Sequence, residues 1–296
     1  MKMDGQDESS NVEDVRGSSG GGGGGFGFGG RSIGLGTVAV ALVAGWVFGI
    51  NPLTVLNLLS GGGGGTVQTA PHQGPAPAPP ANDTEARFVS QVLRSTEVVW
   101  GDTFRQAGKT YADPKLVLFR NSYPTACGQG QAAMGPFYCP GDRKVYLDLS
   151  FFDVMSKRLG APGQFAQAYV VAHEVGHHVQ NLLGISDKVE AARRNGSEAQ
   201  ANAMSVRLEL QADCFAGVWA NRSQQENGWR LEQGDIETAL NAASQIGDDT
   251  LQRKSQGQVV PESFTHGTSA QRVSWFTRGF KSGAVDQCNT FDARQL

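Results

Sequence analysis

Between Arg31 and Asp83 the chain carries no charged residue, and glycine runs at Gly20–Gly25 and Gly61–Gly65 lie just before and within that interval. Glycine runs offer no side chain to bury and lose the most backbone entropy on ordering, so they cannot form a core. The folding unit must therefore lie downstream. Within the interval, the 33–50 stretch "IGLGTVAVALVAGWVFGI" has the length and polarity of a membrane-spanning helix, which needs about 20 apolar residues for a ~30 Å hydrocarbon core. It reads as an anchor and not a cleaved signal peptide, because a long polar, glycine-rich segment precedes it and no small-x-small site directly follows.

These features divide the chain into an expected disordered cytoplasmic tail (1–31), a transmembrane anchor (32–59), a Gly/Pro-rich linker (60–83) and a folded domain (84–296). Lys2, Arg16 and Arg31 precede the span and the next basic residue is Arg87, so the positive-inside rule predicts a cytoplasmic N-terminus and an extracytoplasmic domain. All four cysteines lie on the outer side, where disulfides persist. The net charge is −3 and no basic run occurs, so the footprint of a nucleic-acid partner is missing. The partners expected instead are a lipid bilayer, reached through one span, and a protein or peptide substrate.

Downstream, "DTEARFVSQVLRSTEVVWGDTF" pairs a capping residue with apolar positions at helical intervals. "KLVLFRN" and "KVYLDL" read as short strands, the second entered through the turn "CPGD". Helices are predicted at "SFFDVMSKRLG", "PGQFAQAYVVAHEVGHHVQNLLG", "SEAQANAMSVRLELQADCFAGVWANR" and "GDIETALNAASQIGDDTL". The order is helix, small sheet, then mostly helices, an α+β pattern.

Three of the five histidines fall within "HEVGHH". His173 and His177 are four residues apart, so on a helix they share a face and two imidazoles can reach one metal ion. Glu174 beside them can reach a water on that ion. This H-E-x-x-H arrangement suits zinc, and it needs a third ligand from elsewhere to leave one coordination position open. Glu209 and Asp213, again four apart in a predicted helix, supply it: Glu209 as the third ligand, Asp213 as the group that accepts the remaining ring N–H of a ligand histidine. His178 points about 100° away from His177 and reads as a packing histidine.

The stretches "HEVGHHVQNLLG" and "LELQADCFAGVWA" together resemble the putative neutral zinc metallopeptidase family, the YpfJ-like bacterial membrane proteins, with a glutamate-zincin style of site. The resemblance extends to "NVEDVRG", "ACGQGQAAMGPFYCPGDRKVYLDLSFF" and "THGTSAQRVSWFTRGF". It implies a single-pass protein of the bacterial cell (inner) membrane, with one Zn2+ per chain and a mostly helical zincin-like metallopeptidase domain after one transmembrane helix.

The expected reaction is hydrolysis of peptide bonds in envelope proteins or peptides, with His173, His177 and Glu209 on zinc and Glu174 as general base. His266 is the candidate donor to the developing oxyanion, with Tyr138 and Tyr146 as weaker ones. An exposed sheet edge at Lys144–Leu149 would let substrate add as a strand. Cys127 and Cys139 lack C-x-x-C spacing and read as a short-loop disulfide. Cys214 and Cys288 then tie the ligand helix to the C-terminal tail, although four cysteines allow three pairings and a buried free Cys214 is the alternative. The rival function is a non-catalytic, zinc-stabilised envelope protein serving as a partner-binding or assembly module.

Overall fold

A computed structural model describes residues 6–17, 77–131, 135–157, 159–226, 230–232, 234–245, 247–250, 259 and 264–296. Residues Met1–Gly17 and Pro75–Leu296 belong to one compact unit. Its strands are β1 (Val12–Asp14), β2 (Lys115–Leu118), β3 (Ser122–Thr125), β4 (Gly128–Gln131), β5 (Phe137–Cys139) and β6 (Lys144–Leu147). The helices are α1 (Thr84–Gln106), α2 (Ser150–Lys157), α3 (Gln164–Leu182), α4 (Ile185–Asn195), α5 (Glu198–Glu226), α6 (Asp235–Gln245) and α7 (Ser269–Ser282), followed by a 3-10 turn at Val285–Cys288.

The main sheet has the order β1-β2-β6-β5, parallel except for the antiparallel outer strand β5, while β3 and β4 form a separate hairpin. Alternation along β2 and β6 sends Leu116, Leu118, Val145 and Leu147 into the main helical core. Val117 and Tyr146 point the other way and join Val15, Phe119 and Cys139 in a second cluster. With both faces covered, these strands read as nearly unbroken apolar runs. Helix α1 starts at Asp83, whose carboxylate accepts from the Ala86 backbone N–H at 3.0 Å, and it buries Phe88, Val92, Val99, Trp100 and Phe104. Capping satisfies a donor that the helix itself cannot.

Close helix crossings organise the rest. A Cβ built on Gly176 would stand 3.0 Å from the Ala212 carbonyl oxygen, so this glycine lets α3 meet the backbone of α5. Gly217 of α5 and Gly279 of α7 face each other's helices even more tightly: side chains there would collide with the Phe276 and Cys214 carbonyls. The three helices that these glycines bring together carry the site.

Several expectations need correction. The anchor at 32–59 lies outside the described residues, and among those described no helix is long and apolar enough to cross a membrane. Residues 6–17, read as part of a disordered tail, enter the fold instead: β1 pairs in parallel with β2 through Val12–Leu116, Glu13–Val117 and Asp14–Leu118. Strands hydrogen-bonded to each other lie on one side of any membrane. A single crossing between residues 17 and 77 would separate β1 from β2, so the single-pass topology does not agree with this pairing, and the fold class of the described residues is an α+β domain. Nor is Lys144–Leu147 a sheet edge, since β6 lies between β2 and β5.

Polar contacts explain why a charged segment orders. Ser9 Oγ and Asn11 Nδ2 donate to the buried Glu97 carboxylate at 2.5 and 2.8 Å. Glu13 takes Lys115 and Lys144, both at 2.7 Å, and Arg16 bridges Asp14 and Asp83. Burial alone would raise the Glu13 pKa, but the two lysines lower it on balance. Both expected disulfides, Cys127–Cys139 and Cys214–Cys288, are present, and they fit an extracytoplasmic location.

A chain shortened to begin at Pro77 loses β1 and leaves Glu97 buried without two of its donors, a cost of about 1–3 kcal/mol for the orphaned group alone. Its thermal midpoint should fall by roughly 2–4 °C per kcal/mol lost, as read by circular dichroism. An unchanged midpoint would make β1 energetically irrelevant.

Candidate metal centre

Helix α3 is buried almost all round: Ala168, Val171, Ala172, Val175 and Val179 pack into the core. His173 and His177 project from it toward α5, and Glu209 of α5 projects back. The His173 Nε2 lies 3.2 Å from Glu209 Oε2, and His177 Nε2 lies 3.4 Å from Glu209 Oε1. One ligand atom from each of the three residues falls within 4.8 Å of the others. Spacing on one helix and position on another thus converge as the sequence predicts.

The proton positions on the two rings decide what can sit there. Asp213 Oδ1 is 2.9 Å from His173 Nδ1. A carboxylate only accepts, so Nδ1 carries the proton and Nε2 is left to face Glu209. His177 Nδ1 lies 2.8 Å from Gln180 Oε1, which leaves its Nε2 in the same situation. In the neutral rings two lone pairs and a carboxylate then meet with no proton between them. Either a cation bridges them or the imidazoles take up protons. Without a metal the second course prevails: burial pulls the His173 pKa down, but the Asp213 and Glu209 carboxylates push it up to about 10. Two imidazoles and one carboxylate are a donor set that suits zinc, so these residues fit the metal that the sequence implies.

Asp213 is wholly buried and accepts from three side chains. Tyr169 OH donates to Oδ1 at 2.5 Å, and Arg272 of α7 holds both oxygens, Nε to Oδ2 at 2.8 Å and Nη2 to Oδ1 at 2.9 Å. Burial would raise the Asp213 pKa, but Arg272 and His173 bring it down to about 2. Tyr169 and Arg272 are functional partners that sequence reading missed. Arg272 lies in the quoted stretch "THGTSAQRVSWFTRGF", and the signal was an arginine on the apolar side of a helix, beside buried Trp275 and Phe276.

Glu174 is 8% exposed, and its charge acts on His177. His266 lies in the loop before α7. Its Nδ1 faces Asp248 Oδ1 at 3.1 Å and Thr265 Oγ1 at 3.0 Å. The other Asp248 oxygen accepts the backbone N–H groups of Thr265, His266 and Gly267 at 2.7, 2.6 and 3.1 Å. Gly267 seats this loop against Val206 and Leu210 of α5, which lie three residues before and one residue after Glu209, and the His266 and Glu209 charges influence each other. Neither tyrosine candidate joins the centre. Tyr146 OH donates to Asp142 at 2.7 Å. Tyr138 OH is held by Asn181 and His178 at 2.9 and 3.0 Å. His178 packs as expected, with Nε2 2.6 Å from the Ala112 carbonyl; burial drives its pKa to about 4, so it is neutral at pH 7.

The family model described as "Putative neutral zinc metallopeptidase" matches residues 1–291. The chain is 53% identical over 294 residues to "Uncharacterized protein YpfJ" of Escherichia coli (strain K12), covering 98% of this chain and 99% of the relative. It is 44% identical over 195 residues to "Uncharacterized protein Mb2605" of Mycobacterium bovis, covering 63% of this chain and 65% of the relative. No solved structure matches.

Replacing Arg272 by Met should destabilise the domain by about 3–5 kcal/mol, because it leaves the Asp213 charge buried and underpaired. Adding Asp213→Asn should recover part of the loss in a double-mutant cycle by urea denaturation; strict additivity would show that the pair is not coupled. The His266 side chain is about half exposed; partial desolvation lowers its pKa, but the Asp248 hydrogen bond and charge, with Glu209, raise it on balance. Its stabilising contribution is therefore complete below the ordinary histidine value and is lost as pH rises through the raised value. The difference in melting temperature between wild type and His266→Ala should shrink toward alkaline pH, and a difference that widens there would contradict the pairing.

Proposed function

The chain belongs to the putative neutral zinc metallopeptidase family, and on that premise we propose that it is a zinc-dependent peptidase acting on proteins or peptides outside the cytoplasm. The observation that carries this reading is the convergence of His173 Nε2, His177 Nε2 and the Glu209 carboxylate, with the far nitrogen of each ring already hydrogen-bonded. Among the described residues this group offers three protein ligands. A purely structural zinc site is closed by four, whereas a catalytic one keeps a position open.

When bound, zinc supplies a Lewis acid that polarises the scissile carbonyl and brings the pKa of water down to about 7. The remaining work falls to the protein. Glu174, next to His173 on α3, takes the proton from the attacking water as its oxygen bonds to the carbonyl carbon. It then returns that proton to the amine nitrogen as the C–N bond breaks. Asp248 takes the Nδ1 proton of His266, so Nε2 donates to the substrate carbonyl oxygen only from the doubly protonated ring, the state that the Asp248 and Glu209 carboxylates favour. Asp213 and Gln180 hold the two ligand rings in their metal-binding tautomers.

Glu174→Gln should bind zinc as the wild type does and lose peptide hydrolysis, while His266→Ala should keep zinc and lose roughly 10²-fold in kcat. Zinc content by metal analysis, with casein or peptide cleavage by the full chain, would read both. Hydrolysis surviving in Glu174→Gln would remove the general-base assignment. Bound zinc in a wild-type chain that cleaves nothing would turn the reading toward a structural zinc in a binding module.

A further inference from the structure

The two ligand histidines are oriented by different chemistry, and the unexplained half is the His177 side. His173 is set by the charged Asp213. His177 faces a neutral glutamine, Gln180, which sits three residues later on α3 and is completely buried, as is nearly all of Gln211 on α5. Two buried glutamines side at a helix crossing need a reason, since every unpaired amide atom there would cost free energy.

Their hydrogen bonds form a directed chain. Gln211 Nε2 lies 2.9 Å from the Cys288 backbone carbonyl. A carbonyl oxygen only accepts, so the Gln211 NH2 faces the tail and its Oε1 faces Gln180. Gln180 Nε2 then donates twice, to the Leu208 carbonyl at 2.7 Å and to Gln211 Oε1 at 3.1 Å. With its nitrogen committed to two acceptors, Gln180 must turn Oε1 toward His177 Nδ1, 2.8 Å away. An accepting oxygen there obliges the ring to carry its proton on Nδ1 and present a bare Nε2 toward Glu209. Two backbone carbonyls, through two amides that cannot flip without breaking these bonds, therefore decide the tautomer of a metal ligand.

The far end of the chain is itself pinned. Cys288 is bonded to Cys214 of α5, the residue after Asp213. Arg207 of α5 donates to the Thr290 and Ala293 carbonyls, while Thr290 Oγ1 donates to the Arg207 carbonyl at 2.6 Å. The C-terminal tail is thus fastened to the ligand helix at the point where its Cys288 carbonyl meets Gln211.

We propose that Gln180 and Gln211 are positioning residues for the metal centre: an amide relay from the Cys288 carbonyl of the disulfide-anchored tail that holds His177 with Nε2 toward the metal position. This rests on the zinc reading above and deepens it. The relay gives the tail a role in metal affinity, although no tail residue touches the three ligand atoms.

Zinc dissociation constants of the full chain, measured by chelator competition without any substrate, test it. Gln180→Met keeps the side-chain volume but removes the acceptor, and should weaken zinc binding ~10- to 100-fold, the usual cost of losing a ligand's orienting partner. Gln180→Glu restores an acceptor toward His177 Nδ1 but sets its second oxygen against the Leu208 carbonyl and Gln211 Oε1, so it should bind zinc more tightly than Gln180→Met and more weakly than wild type. Gln211→Met should weaken binding by a smaller factor, because the Leu208 carbonyl still holds Gln180. Wild-type zinc affinity in Gln180→Met would reduce Gln180 to packing and overturn the relay, as would unchanged affinity in Gln211→Met should the Gln180 variants not fold. A wild-type chain that takes up no zinc would instead overturn the metal reading itself.

Discussion

The carboxylate of Asp213 is the interaction on which the centre depends. It has no exposed surface, and an isolated charge so placed would be prohibitively costly. Its donors come from two other helices: Tyr169 and His173 from α3 and Arg272 from α7. One anion on α5 therefore ties three helices to a single geometry. Removing it would free the His173 ring and leave the Arg272 guanidinium buried without its carboxylate. Each donor is also a constraint: the Tyr169 phenol is held far from ionising by burial and by the Asp213 charge, so it serves as a fixed O–H donor and not as a titrating group.

That convergence requires helices to approach more closely than ordinary side chains allow. Gly176 sits inside the "HEVGHH" stretch and admits the α5 backbone at Ala212. Gly217 and Gly279 do the same between α5 and α7. Glycine weakens a helix interior by up to about 1 kcal/mol relative to alanine. Here the lost propensity is offset by contacts that place Asp213 against Arg272 and Glu209 against both histidines.

What could be read from the sequence divides along contact range. His173, His177, Glu209 and Asp213 were legible because each pair obeys the four-residue spacing of one helix, a local rule. Arg272 lies 59 residues beyond Asp213, and no local rule links them. The strands β2 and β6 announced themselves through apolar residues, whereas β1 is three residues in an acidic segment whose partners, Leu116 to Leu118, lie far along the chain. Its order comes from ion pairs and from Ser9 and Asn11 on Glu97, none of which composition reveals. The topology was misjudged for the same reason: counting arginines beside an apolar stretch says nothing about a strand that pairs across it. The hairpin β3–β4 was missed because "SYPTACGQGQ" carries glycines and a proline where a strand signal calls for β-branched residues.

The two ways of orienting the ligand histidines have one electrostatic property in common. Asp213 carries a negative charge, but Arg272 meets it with two hydrogen bonds, while Gln180 carries no charge at all. Both imidazoles are therefore held in the metal-binding tautomer by groups that add no net charge. A bare carboxylate behind each ring would donate more electron density through the imidazole and blunt the acidity of a bound metal. With the orienting groups neutral overall, Glu209 would be the one anionic ligand among the three, and the positive charge of a divalent ion there would be only half cancelled. That remainder is what a metal needs in order to acidify water and draw electrons from a carbonyl. In the proposed zinc peptidase the Arg272–Asp213 pair would do more than hold helices together: it would let a buried carboxylate orient His173 while leaving the charge of a bound metal uncancelled.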